Sequence, residues 1–83
     1  MFDEAAWNIL LALYLASSRA DRTVKRLAES SGAPLSTAIR WLHYLEAEGL
    51  VMLEMGAHDP EQEQVHLTDE ANNSLQAFLS QAT

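Results

Sequence analysis

Residues 24–51 read VKRLAESSGAPLSTAIRWLHYLEAEGLV, and their spacing decides the fold. Thr23 suits the N-cap of a short helix from Val24 to about Ser31, with Val24, Leu27 and Ala28 facing inward. Gly32 ends that helix, because glycine accepts the left-handed backbone of a tight exit. Pro34 suits the start of a longer helix, where its missing N–H costs nothing. That helix runs to about Glu48 and stops at Gly49. A short helix, a glycine turn and a longer helix form a helix-turn-helix. Ala28 is small where the two helices cross.

The flanks extend the pattern. On the N-terminal side, Asp3 is a good N-cap, and Trp7, Leu10, Leu11, Tyr14 and Leu15 recur at helical spacing. Ile9 and Leu13 widen that apolar surface past one stripe, so the first helix is central to the core or covered by a partner. Ser17–Arg22, SSRADR, reads as a polar loop. On the C-terminal side, Leu50–Met55 is strand-like, the stretch GAHDPE is a turn, and QVHLT is a second strand with Val65 and Leu67 on one face. Thr68 caps a last helix whose stripe is Ala71, Leu75, Phe78 and Leu79. The expectation is one winged-helix domain over residues 1–83. Its class is mostly α with a small β-hairpin (α+β), in the order α-α-α-β-β-α. The helix-turn-helix spans about 23–48, the wing about 50–67 and the C-terminal helix about 69–81.

Composition bounds the function. The chain has 83 residues, no cysteine, and five basic against twelve acidic residues, for a net charge of −7. One core is all that this length builds. Without cysteine there is no disulfide framework and no thiolate ligand or nucleophile, which fits a reducing cytoplasm. The opening MFDEAAW lacks the basic n-region of a secretory signal. The longest apolar run, Ile9–Ala16, is far below the ~20 residues that cross a bilayer, so no membrane association is expected.

Every Lys and Arg falls between Arg19 and Arg40, and the stretch Arg19–Leu45 carries a local charge of +3. From Glu46 onward there are eight acids and no Lys or Arg. Groove contact depends on the local field, so the net charge does not forbid DNA.

At about 100° per residue, the third helix places Ala38, Leu42 and Leu45, with Trp41, on one side. Ser36, Arg40, His43 and Ala47 fall opposite, flanked by Thr37 and Tyr44. Arg40 can present a bidentate fork to guanine. Ser36 and Thr37, with free N–H groups of the first turn, can bind a phosphate. His43 and Tyr44 can reach the backbone or a base edge. Lys25 and Arg26 on the second helix, and Arg22 before it, can hold flanking phosphates. The competing reading pairs Arg40 with Glu29 or Glu46 and packs Tyr44 at the rim. Trp7 and Trp41 read as core, Met52 and Met55 as hairpin packing.

Several residue patterns then resemble those of the MarR-type winged-helix transcriptional regulators. They are LAESSG (27–32), STAIR (36–40), LEAEGLV (45–51) and LTDEA (67–71), in that order and at these spacings. AAWNILLALY (5–14) and TAIRW (37–41) resemble a subset of small bacterial winged-helix proteins. The resemblance implies a DNA-binding regulator whose third helix enters the major groove of double-stranded DNA, and it leaves open a homodimer, for which the apolar first helix offers a surface. Three departures stand out. There is little chain to supply long flanking helices, and no basic segment before the first helix. The wing reads DPEQEQ (59–64) where the family carries a basic tip, so it is expected to add little to affinity.

No P-loop, nucleophile elbow or dinucleotide fingerprint is present, so neither catalytic residues nor a cofactor is expected. His58, Asp59 and His66 lack the tight ligand spacing of a metal site. No effector pocket is marked. The rival function is a winged-helix protein-interaction module that does not bind DNA, supported by the acidic wing and tail, the broad apolar first helix and the scarcity of basic residues.

Overall fold

The computed structural model describes residues 4–54, 56 and 58–81. Asp3 and Met55 lie outside the described residues. Four helices and a hairpin follow in order: α1 (Glu4–Leu15), α2 (Val24–Ser31), α3 (Leu35–Ala47), β1 (Val51–Glu54), β2 (Gln64–Leu67) and α4 (Asp69–Gln81). The strands pair antiparallel, Val51 opposite Leu67 and Glu54 opposite Gln64. This is the α-α-α-β-β-α order expected from the sequence. Two short 3-10 turns, Arg19–Arg22 and Pro60–Gln62, stand where a plain loop and a turn were expected.

The helix-turn-helix is held by its own polar groups. Thr23 Oγ1 accepts the Arg26 N–H at 3.2 Å, capping α2. Gly32 takes φ 76°, and its N–H donates to Glu29 O. The Ser31 hydroxyl donates to Ala28 O at 2.6 Å and accepts from Ala33 N–H at 3.0 Å, so a buried serine braces the turn from within. Ala28 and Ala38 are both buried, which lets α2 and α3 approach closely.

A second set of bonds joins the end of α3 to the start of α4. Gly49 has φ 77°, and the Leu50 N–H returns to Leu45 O at 2.9 Å. Thr68 Oγ1 donates to Gly49 O at 2.8 Å and accepts from Ala71 N–H at 3.2 Å. LEAEGLV and LTDEA are thus two halves of one junction.

Ile9, Leu10 and Leu13 of α1 meet Val24, Leu27, Leu42, Leu45, Val51, Val65 and Leu75 in one core. Burying such a side chain contributes about 1.5–3 kcal/mol. The α1 stripe differs from the spacing read in sequence. Ala5, Ala6, Ile9, Leu10 and Leu13 are buried, whereas Leu15 is 74% exposed and Leu11 and Tyr14 are half-buried. A helix apolar nearly all round leaves its inward face undetermined by spacing, and neighbours decide it. Phe78 is likewise 53% exposed, edge-on to half-buried Trp7 at 5.3 Å between centroids. Among the described residues, no helix is long and apolar enough to cross a membrane.

Candidate nucleic-acid interface

The outer face of α3 is built as its periodicity requires. Ala38, Leu42 and Leu45 are buried and Trp41 is half-buried, which leaves Ser36, Arg40, His43 and Tyr44 exposed and Thr37 half-buried. Pro34 precedes the helix without a side-chain cap, so first-turn N–H groups stay available to an anion. Tyr44 stands edge-on to Trp41, centroids 5.6 Å apart, so its ring is positioned by the edge of the core.

Arg40 makes no ion pair within 4 Å among the described residues. Neither acid proposed for it is there. Glu46 accepts the Leu53 N–H at 3.2 Å, tying α3 to β1. Glu29 lies 3.9 Å from Arg26, whose guanidinium is also 3.9 Å from Asp21. Both Arg26 contacts are long and open to water, so they hold the side chain weakly.

The other basic residues divide. Lys25 is exposed and lines a depression with Ala28, Ala33 and Leu35, beside the start of α3. Arg22 lines a different depression, with Leu13 of α1, Ala16 just after it, His66 and Leu67 of β2, and Asn72 of α4. The structure therefore brings Lys25 to the start of α3 and places Arg22 on the side of α1 and α4.

The wing is where sequence reasoning saw least. Its turn folds back onto α2: the Val24 N–H donates to Glu63 O at 3.0 Å, and Thr23 bridges Gln64. Asp59 Oδ1 accepts the Glu61 N–H at 3.0 Å, shaping the turn. Glu61 reaches the depression of Lys25 and Leu35. Glu63 and Pro60 line a second one with Ile39 and His43 of α3. No local signal announces this path, because it is set by pairing between residues far apart in the chain.

Farther along the hairpin, His66 and Glu54 meet diagonally across the strands at 2.8 Å. The hydrogen bond from His66 holds the Glu54 carboxyl below its usual range; slight burial opposes this, and the charges of His66 and Arg19 add to the lowering. Among the described residues, no group of three His, Asp or Glu side chains could hold a metal ion. Elsewhere, α1 and α4 flank an apolar groove of about 310 Å³, lined by Trp7, Leu10, Leu50, Leu75 and Phe78.

The family model of the IclR helix-turn-helix domain matches residues 10–53, which takes in the second half of α1, all of α2 and α3, and most of β1. No curated protein matches the sequence. Solved structures do. The MarR family transcriptional regulator SPO1453 from Silicibacter pomeroyi DSS-3 superposes with a TM-score of 0.77 at 23% identity, covering 98% of this chain and 54% of its own. The transcriptional regulator PA3341 gives 0.74 at 29% identity, with 94% and 56% covered. MepR of S. aureus, solved in complex with DNA, gives 0.76 at 23%, with 96% and 63% covered. The MarR-type resemblance in the sequence thus has its counterpart in MarR-family structures that share the winged-helix fold over nearly the whole chain. This chain spans little more than half the length of the first two.

Proposed function

The chain belongs to the family of the IclR helix-turn-helix domain, a transcription-regulator family rather than an enzyme family, and from that premise we propose that it is a DNA-binding regulator acting in the cytoplasm. In this reading α3 lies in the major groove of double-stranded DNA. Arg40 reads a base edge, Ser36 and Thr37 hold a phosphate at the helix start, and His43 and Tyr44 reach the flanking backbone. Lys25 and Arg26 contact phosphates beside it. Arg22, which the sequence also suggests as a phosphate contact, is left out of this reading because it lines a depression with residues of α1, β2 and α4. The observation that carries the reading is Arg40, exposed at the middle of the outer stripe with no ion pair among the described residues. MepR, which shares the fold, has been solved bound to DNA, which supports the same docking here.

A homodimer fits this function. Two copies joined over the apolar groove between α1 and α4 would double the phosphate contacts and set two half-sites about 34–36 Å apart. Sedimentation of the purified protein across a concentration series tests it; a monomer at all concentrations rules it out.

The deciding experiment is fluorescence anisotropy with random and genomic duplexes at low and moderate salt. Binding is expected at ~50 mM salt, falling steeply as salt rises, because each neutralised phosphate releases condensed counterions. Absence of binding at low salt defeats the reading. It would leave the second one, an interaction module without DNA, which the acids Glu61 and Glu63 beside α2 and α3 favour.

A further inference from the structure

We propose that the folded-back acidic turn, through Glu61 and Glu63, is a built-in electrostatic brake that lowers DNA affinity along one flank of α3. This rests on the DNA-binding reading above. The turn does not project freely. Backbone bonds fasten it: Val24 N–H to Glu63 O at 3.0 Å, and Glu61 N–H to the Asp59 carboxylate at 3.0 Å. The backbone that carries its acids therefore has a fixed place. Glu61 shares its depression with Lys25, Glu29 and Leu35, and Glu63 shares its own with Ile39 and His43. Lys25 and Glu61 make no ion pair within 4 Å, so the lysine is not neutralised there.

The consequence is electrostatic. A duplex lying on α3 brings a row of phosphates past this flank. Two carboxylates carried there on a fastened backbone oppose every register equally, because phosphates carry no sequence. Base-edge contacts from α3 occur only in the correct register. A uniform penalty lowers affinity for every duplex alike and leaves discrimination to α3. On this proposal the acidic wing acts against binding and the reading is left to α3.

The test compares variants of equal charge change in the whole protein. Glu61→Gln and Glu63→Gln each remove one carboxylate from the flank. Glu70→Gln removes one from α4, outside both depressions. Neither flank carboxylate takes part in the bonds that hold the turn, so thermal melts should be unchanged. Anisotropy with a labelled random-sequence duplex at ~50 mM salt should show each flank variant binding about two- to threefold more tightly, with less gain at higher salt. Glu70→Gln should shift affinity less than either. Equal effects from all three variants would mean that only net charge matters, and the inference falls. Weaker binding by the flank variants also overturns it, since the acids would then be making favourable contacts. If neither wild type nor any variant binds at low salt, the DNA reading fails, and this inference with it.

Discussion

The third helix and the hairpin that follows it use their polar groups in opposite ways. On α3 the central outer side chain is spare: the helix is positioned by Ala38, Leu42 and Leu45, and Arg40 has no ion pair among the described residues. On the hairpin the polar groups serve the hairpin itself. Asp59 shapes the turn, the Glu63 carbonyl fastens it to α2, and Glu54 binds His66. Position near a groove is therefore not enough to make a reader. A side chain is available to DNA when core packing, rather than its own hydrogen bonds, fixes its backbone.

The sharpest way to break that contrast is Arg40→Ala. Losing a bidentate base contact should cost about 1–3 kcal/mol of discrimination against the wrong base, roughly five- to 150-fold. The melting temperature should hold, because the guanidinium supports no neighbour. Parallel titrations with a preferred and a scrambled duplex read the first expectation, and a thermal melt reads the second. A large stability loss with unchanged preference would show that Arg40 is a structural residue.

Gly32→Ala probes the scaffold on which α3 is presented. A Cβ there meets nothing within 4 Å, so only the backbone at φ 76° resists it. A left-handed alanine costs about 1 kcal/mol, which lowers the melting temperature by about 4–8 °C in a domain of this size. Intrinsic discrimination by α3 should survive in the folded fraction. Loss of preference without loss of stability would locate the reading function in the turn itself.

Lys25→Ala and Arg22→Ala separate the two basic sites. The first should weaken all duplexes alike and reduce the log–log salt slope by about 0.9, one phosphate contact. The second should leave both quantities unchanged, because Arg22 faces α1, β2 and α4. Equal losses from both would put the duplex on a different face from α3.

The element order, the caps at Thr23 and Thr68, the left-handed Gly32 and the inward side of α3 were legible because each is fixed within a few residues. The α1 face was not. Leu15 and Leu11 satisfy helical spacing as well as Ile9 and Leu13 do, and only the packed neighbours choose between them. The candidate site divides along the same line. Arg40 and its companions follow from one helix's periodicity. Arg22 was assigned to the DNA face from its nearness in sequence to Lys25, and the 3-10 turn sends the two to different depressions. The path of Glu61 and Glu63 depends on where β2 meets Thr23, a pairing across some forty residues that no local pattern encodes.

The smallest effect concerns the pair that best typifies the hairpin. His66 lowers the Glu54 carboxyl below its usual range, chiefly through their 2.8 Å hydrogen bond. A carboxylate with a lower pKa folded than unfolded favours the folded state above the unfolded value, and that contribution is lost as pH falls through the folded one. The window therefore lies below about pH 4.3, where an unperturbed glutamate titrates. Both side chains are open to water, so the stability involved is small. His66→Ala should return the Glu54 titration upward, followed by NMR of its side-chain carboxyl, and should leave DNA affinity at neutral pH unchanged. An unmoved Glu54 titration would mean that the hairpin does not spend this acid on itself. A change in DNA binding at neutral pH would place the pair on the reading face with α3, and the contrast between the two regions would not stand.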